Sequence, residues 1–460
     1  MTENSEQHAG RAIVTFARGW QTLVAVRSLG RRGVEVVAGD QYSMTPGSLS
    51  KYCTAKFKYP DPDKDPDGFL DALEAVVIEH KPDDDRPYVL LPIHKESYLI
   101  AQHRERFEPH ISLALPGIDQ ILQVHNKGTL AAYAQKVGLP MPETWIPGTV
   151  EEFHEQLEAM AVPAFLKIRE SSSGVGIAKV DTREELEKTF LKFVDQFKLA
   201  PGDLPIIQAL VPGDDYCVTT LFNRGKLEAC MTYRNLRIYP AKTGPGALRE
   251  TVDVPAMEKV SAEVLGPLDW HGVAELDFRW DGQPDSEPKL IEVNPRFWGG
   301  LIQAVESGWD YPWLTFQLAA TGTVDLDVER RTDVKTEIPI LAFLATLDEL
   351  SHNEAGHAAL KNGWENAKDE FRDGSKRAGL KALLRGLKTG LDPKARLREA
   401  KRVLSDHKHN VYDILSKEDP GPALGIFFPL AVFLKHGKVN VDLITGEGAP
   451  GADDGDDTQD

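Results

Sequence analysis

Two short segments carry the side chains with the most chemistry in this sequence: VAELDFRW, from Val273 to Trp280, and KLIEVNPRFWGG, from Lys289 to Gly300. If both are strands of one antiparallel pair, residues two apart share a face, and Asp277 on the first meets Glu292 and Asn294 on the second. Three oxygen donors then converge. That set suits a hard dication such as Mg2+, which is held by one or two carboxylates and completes its shell with water and phosphate. Arg296, two further along the same face, offers a planar fork for a phosphoryl or acyl-phosphate oxygen. Taken alone, the pattern also describes a solvated polar face alternating with Ile291, Val293 and Pro295.

A second signal is PAFLKIRESSSGVGIAKV, from Pro163 to Val180. An apolar strand carries Lys167 into a turn rich in Ser and Gly, and a second strand follows. Small residues let backbone N–H groups approach phosphates, and lysine adds a point charge. The Gly-Lys-Ser/Thr of a P-loop is missing, and an ordinary hairpin has the same look. A third segment, LPIIQALVPGDDYCVTTLF, reads as strand, break at Pro212 and Gly213, strand. Such a hinge offers backbone groups and Gln208 to an adenine edge, with Asp215 near a ribose; it also describes a plain connection between domains. Between these signals, YRNLRIYPAKTGPGALRE places Arg234, Arg237 and Arg249 near a glycine turn, as carboxylate-binding arginines or as an exposed basic hairpin. His271, beside Trp270, suits packing or capping more than general-base work.

The elements that must position these residues are readable from periodicity. From Arg11 to Asp40 the chain reads strand, helix, strand, but the first turn, ARGWQT, has one glycine where a dinucleotide fold needs three. FLDALEAVVIEH looks helical and YVLLPI looks like a buried strand, which predicts a small parallel α/β layer over the first ~115 residues. KGTLAAYAQKVG, from Lys127, predicts a helix closed by Gly138, and LPMPETWIP a rigid junction. Lys361 to His409 is locally basic in a chain whose 53 Lys and Arg face 71 Asp and Glu, a net charge of −18. That balance disfavours nucleic acid. Within the basic stretch, Leu380, Leu383, Leu384 and Leu387 share a face opposite Lys381, Arg385 and Lys388, either packing on the core or docking on lipid or a partner. Three cysteines, Cys53, Cys217 and Cys230, make neither a disulfide framework nor a zinc motif. The opening MTENSEQHAG lacks the order of a secretory signal, and no apolar run approaches the ~18 residues of a membrane span, so a cytoplasmic protein is expected. APGADDGDDTQD predicts an acidic disordered tail.

Taken in order, a lysine opening a helix, a lysine before a glycine-rich turn, a Gln-x-x-Val hinge, and Asp followed by Glu-x-Asn-Pro-Arg resemble the ATP-grasp superfamily, in detail over Pro116 to Gly322. The resemblance implies a parallel α/β pre-ATP-grasp layer (1–115), a two-lobed α+β ATP-grasp fold (116–325), a mainly helical basic extension (326–446) and the tail (447–460). It implies ATP and Mg2+, with Mn2+ as a substitute. Lys127 and Lys167 are then expected on the phosphates, Ser172, Ser173, Gly174 and Gly176 in the lid, and Gln208, Ala209, Val211 and Asp215 around adenine and ribose. Asp277, Glu292 and Asn294 become the metal ligands, Arg296 faces an acyl phosphate, and Arg249 meets substrate. Gln208 departs from the glutamate commoner there, and the lid has few glycines. The implied activity joins a small carboxylate to an amine, releasing ADP and phosphate, in a monomer or homo-oligomer. A bicarbonate-using enzyme like carbamoyl-phosphate synthase or biotin carboxylase, and a non-catalytic ATP-binding scaffold, are the alternatives.

Overall fold

The computed structural model describes residues 9–170, 176–239, 246–283, 285–326, 329–338, 341–342, 344–345 and 410–426, with isolated residues between 362 and 405. Ser172, Ser173 and Gly174, much of the basic stretch and the acidic tail lie outside the described residues.

The largely buried strand Gly10–Val14 is followed by a helix, Trp20–Arg31, and a left-handed turn at Gly33 returns the chain to the parallel strand Val34–Asp40. Cys53–Lys58 pairs with the outer edge of Val34–Asp40, and Tyr88–Leu91 pairs with the other side of Gly10–Val14, giving four parallel strands. The helix Pro66–Glu79 covers one face because Phe69, Leu70, Leu73 and Val77 fall on one side of it, each contributing roughly 2 kcal/mol by burial. Asp65 caps its start by accepting from the Gly68 N–H.

Two further sheets follow. The smaller has four antiparallel strands in the order Thr144–Trp145, Ile206–Ala209, Ala164–Lys167, Ile177–Val180. It has its own core, in which Phe153 stacks on Phe190 at 3.8 Å beside Leu166, Leu186 and Ile207. The expected rigid junction thus contains a two-residue strand, too short to show a period. The larger sheet runs Lys289–Asn294, Gly272–Trp280, Asp214–Asn223, Lys226–Ile238, Gly246–Val252, Lys335–Glu337, Val411–Tyr412. It shares a core with the N-terminal layer, where Val14, Val36 and Leu91 meet Tyr233, Trp298 and Tyr311. The architecture is a parallel α/β layer followed by two α+β lobes.

The chain crosses between lobes at Pro212 and Gly213. Gly213 has φ +117°, and a Cβ there would lie 2.2 Å from the Trp280 carbonyl, so the crossing requires glycine.

Part of the expected helical extension instead joins the larger sheet: Thr336 and Glu337 pair in parallel with Val411 and Tyr412. Beyond them, Asp419 accepts from Arg27 Nε at 2.9 Å, from Ser50 Oγ at 2.7 Å and from the Lys51 N–H. Arg27 Nη2 reaches the carbonyl of Ile414. Residues 410–419 therefore form a strap across the N-terminal layer and the larger sheet. Leu380 and Leu384 are 57% and 58% exposed, so these two leucines do not pack on the core. Among the described residues no helix is long and apolar enough to cross a membrane.

Candidate active site

Register places the acidic residues. Gly272–Trp280 pairs antiparallel with Lys289–Asn294, setting Asp277 opposite Glu292 and Glu275 opposite Asn294, while Leu276, Phe278, Leu290 and Val293 fill the core. Directly paired residues project to one face. Asn294 Nδ2 donates to Asp277 Oδ2 at 3.2 Å, which completes the juxtaposition of Asp277, Glu292 and Asn294. Burial, then the charges of Glu275 and Glu292, push the Asp277 carboxyl well above the usual carboxylate range. Burial acts upward on Glu292 too, but Lys127 and Lys167 hold it down at about 2.

The lysines come from two other elements. Asn126 caps a helix by accepting from the Gly128 and Thr129 N–H groups, and Lys127 is its first residue. Lys127 Nζ stands 3.4 Å from Glu292 Oε2. Lys167 ends the strand Ala164–Lys167, and its Nζ donates to Gln208 Oε1 at 2.7 Å; Gln208 Nε2 donates to Thr144 Oγ1. Burial lowers Lys167 to about 8, with Glu292 opposing and Lys127 reinforcing the shift. Gly176, at φ +64°, closes the hairpin where a Cβ would lie 2.4 Å from Ile168.

Ala209 ends the strand that carries Gln208, with its N–H donating to the Glu143 carbonyl, and half-buried Val211 lies in the crossing. Asp215, early in the next strand, pairs with Arg279. Arg296 is 6% exposed, donates to the Phe297 carbonyl, and faces Tyr98, whose hydroxyl burial pushes up to about 12 against the pull of this arginine.

Arg249 lies beside Gly300 and Tyr233. Its guanidinium is buried, pairs with Asp413 at 3.3 Å and donates to the Gly246 carbonyl, so it anchors the strap. Arg234 pairs with Glu250 and Asp214 at the surface. His271 precedes the strand of Asp277 and lies six residues from it.

The sequence reading passed over a polar row laid across the larger sheet. Asp277 pairs with Cys217, and Cys217 with Tyr233, whose hydroxyl donates to Glu275 at 2.5 Å. The period of two along each strand was the available signal. Cys217, Glu275 and Asp277 lie within 4.8 Å of one another, but burial, then Asp277 and Glu275, push the Cys217 thiol far up, so it stays protonated. The oxygen donors Asp277, Glu292 and Asn294 suit Mg2+, and two abutting carboxyls are a place where a dication relieves repulsion.

The fold and this arrangement resemble those of the ATP-grasp superfamily. Residues 205–340 match a family described as ATP-grasp in the biosynthetic pathway with Ter operon. The chain is 26% identical over 163 residues to the formate-dependent phosphoribosylglycinamide formyltransferase of Xanthomonas axonopodis pv. citri, covering 35% of this chain and 36% of that one. It thus spans little more than a third of that relative's length. Among solved structures, an L-amino acid ligase from Bacillus licheniformis superposes with a TM-score of 0.56 at 16% identity, over 72% of this chain and 80% of the other. An N5-carboxyaminoimidazole synthetase from Staphylococcus aureus, complexed with ADP, gives 0.55 at 13% identity, over 75% and 87%. At these identities the likeness to the structures is one of fold.

Proposed function

We propose that the protein is an ATP- and Mg2+-dependent ligase that activates a carboxylate as an acyl phosphate and joins it to an amine, releasing ADP and phosphate. The observation that carries this reading is the convergence of Glu292, its strand partner Asp277 and the buried Lys127 and Lys167, drawn from both lobes. Asp277, Glu292 and Asn294 would hold Mg2+, which when bound neutralises phosphate charge. Lys127 and Lys167 hold the phosphates, and Ser172, Ser173, Gly174 and Gly176 close over them. Gln208, with the backbone of Ala209 and Val211, reads adenine, and Asp215 reaches the ribose.

A carboxylate is a poor electrophile. Its oxygen attacks the γ-phosphorus, the bond from phosphorus to the β–γ bridging oxygen breaks, and ADP leaves with that electron pair. Arg296 faces the resulting mixed anhydride as a planar donor fork. The amine then attacks the carbonyl carbon, the carbon–oxygen bond to phosphate breaks, phosphate takes the electron pair, and the nitrogen loses a proton. Arg249, held by Asp413, borders the acceptor end of the sheet. The organisation we propose for the chain is 1–115, 116–325, 326–446 and 447–460, with chemistry in the second unit.

The test is ADP release from MgATP across a matrix of carboxylates, bicarbonate and amino-acid acceptors, with Glu292→Ala as blank. Release requiring one acid and one amine is expected. Release requiring bicarbonate alone would replace the amine-ligase reading with carboxyphosphate chemistry, and MgATP binding without release under any combination would favour a nucleotide-binding scaffold.

A further inference from the structure

The chain between the strands Lys335–Glu337 and Val411–Tyr412 leaves and re-enters the larger sheet at one edge, because these strands are neighbours and Val411–Tyr412 is the outermost of the seven. Both ends of this excursion are fixed. Leu341, Ala342 and Ala345 are buried with Trp20 and Leu23 at its start, and Asp413 and Asp419 hold the strap at its close. Between those anchors, Lys361 to His409 carries 14 Lys and Arg against seven Asp and Glu, and Gly374 to Leu391 has five basic residues and no acid. The chemistry proposed above uses none of this stretch.

Within it, Arg377, Leu380, Lys381, Leu384 and Arg385 are helical, and all five are exposed. Helical spacing makes Leu380 and Leu384 one ridge and Arg377, Lys381 and Arg385 the ridge beside it. Two adjoining ridges thus face solvent, one apolar and one cationic. Trp364 is 61% exposed, and an indole suits the boundary between lipid headgroups and acyl chains. Past the strap, Leu424 is 62% exposed and opens LGIFFPLAVFL, an uncharged run of 11 residues in the sequence that Lys435 follows. A run of that length is too short to span a bilayer and matches an interfacial segment.

We infer that the face formed by Leu380 and Leu384 with Arg377, Lys381 and Arg385 docks on an anionic lipid surface, the leucines entering the acyl boundary and the cations meeting headgroup phosphates. Amphipathic helices with basic residues beside an apolar ridge bind lipid in this way. An acidic protein would also satisfy the cations, but Trp364, the leucine ridge and Leu424 are separate exposed apolar features, and a fluid surface admits all of them without matched pockets. The excess negative charge of the chain lies outside this stretch and is repelled by the same lipids, so it fixes which face approaches. The inference goes beyond the ligase reading and does not rest on it.

Sedimentation of the full-length protein with vesicles tests it, comparing phosphatidylcholine alone with phosphatidylcholine and phosphatidylglycerol in equal parts. Binding to the anionic vesicles is expected, with little to the neutral ones and a steep fall as salt is raised. Each basic residue near such a surface contributes about five-fold in partitioning, so Lys381→Glu with Arg385→Glu should weaken binding about 25-fold or more. Leu380→Ser with Leu384→Ser withdraws apolar area while keeping the charge, and should weaken it about ten-fold or more. Lys64→Glu with Lys259→Glu, at side chains 84% and 76% exposed outside the stretch, makes the same change in net charge and should bind as the wild type does. Circular dichroism checks the folding of each variant, and the leucine pair decides the matter if the charge pair fails to fold. Wild-type affinity in a folded Leu380/Leu384 or Lys381/Arg385 variant, equal binding to neutral and anionic vesicles, or an equal loss in the Lys64/Lys259 variant would overturn the inference. So would absence of binding to the anionic vesicles, which would leave this face to an acidic protein.

Discussion

Lys167 donates from its Nζ to Gln208 Oε1 at 2.7 Å, so a buried cation rests on a neutral amide. Burial brings that lysine to about 8, with Glu292 pulling upward and Lys127 downward; Asp277 and Arg279 also act on it. A nucleotide phosphate favours the ammonium form and so raises the pKa in the complex. Between the free and bound values, binding takes up a proton, and MgATP affinity falls as pH rises through about 8 and above. Calorimetry in two buffers of different ionisation enthalpy near pH 9 measures the uptake; equal heats in both would remove Lys167 from the phosphate site.

Gln208→Glu sharpens the same point. An anionic partner at 208 favours charged Lys167 and moves its pKa upward. Proton uptake on MgATP binding should then vanish near pH 9. Unchanged uptake in this variant would mean that another group titrates.

Glu292→Gln keeps the shape of the side chain while deleting the charge that faces Lys127 and Lys167. Turnover should fall roughly 100-fold or more, as it does when a preorganised electrostatic group is removed from a reaction site. Steady-state ADP release at saturating MgATP reports it, with circular dichroism as the control for folding. Turnover within a few-fold of wild type would refute the metal-ligand role.

The Arg249–Asp413 pair makes a prediction about stability. Both side chains are buried, at 2% and 1% exposure. Asp413→Ala leaves the guanidinium uncompensated and should cost about 3 kcal/mol, whereas Arg249→Met combined with Asp413→Leu should recover much of that loss. Denaturant unfolding monitored by tryptophan fluorescence distinguishes these outcomes. A cost below about 1 kcal/mol for Asp413→Ala would mean that the strap is not held by this pair.

What the sequence disclosed depended on range. Asp277, Glu292 and Asn294 could be set on one face because a strand repeats every two residues and the two strands are adjacent in the chain. The hairpin of Lys167 and the break at Pro212 and Gly213 announce themselves through glycine and proline. Arg249 could not be read correctly as to its partner, since Asp413 is 164 residues away and complementary charges abound in a chain with 27% charged residues. The strands Thr144–Trp145, Lys335–Glu337 and Val411–Tyr412 are too short to display any periodicity, and only tertiary pairing defines them. The amphipathic spacing at Leu380 and Leu384 left core packing and docking both open, and the exposure of these two residues excludes the first for them. Periodicity reports which side chains align, and it is silent on what covers them.

The Arg27–Asp419 contact spans 392 residues, and this imposes a schedule on synthesis. An N-terminal layer emerging first from the ribosome would hold Arg27 without its carboxylate partner through nearly the whole of elongation, at about 5–20 residues per second. A nascent chain stalled before Asp413 is translated should therefore leave the helix Trp20–Arg31 open to protease, and one extended past Asp419 should protect it.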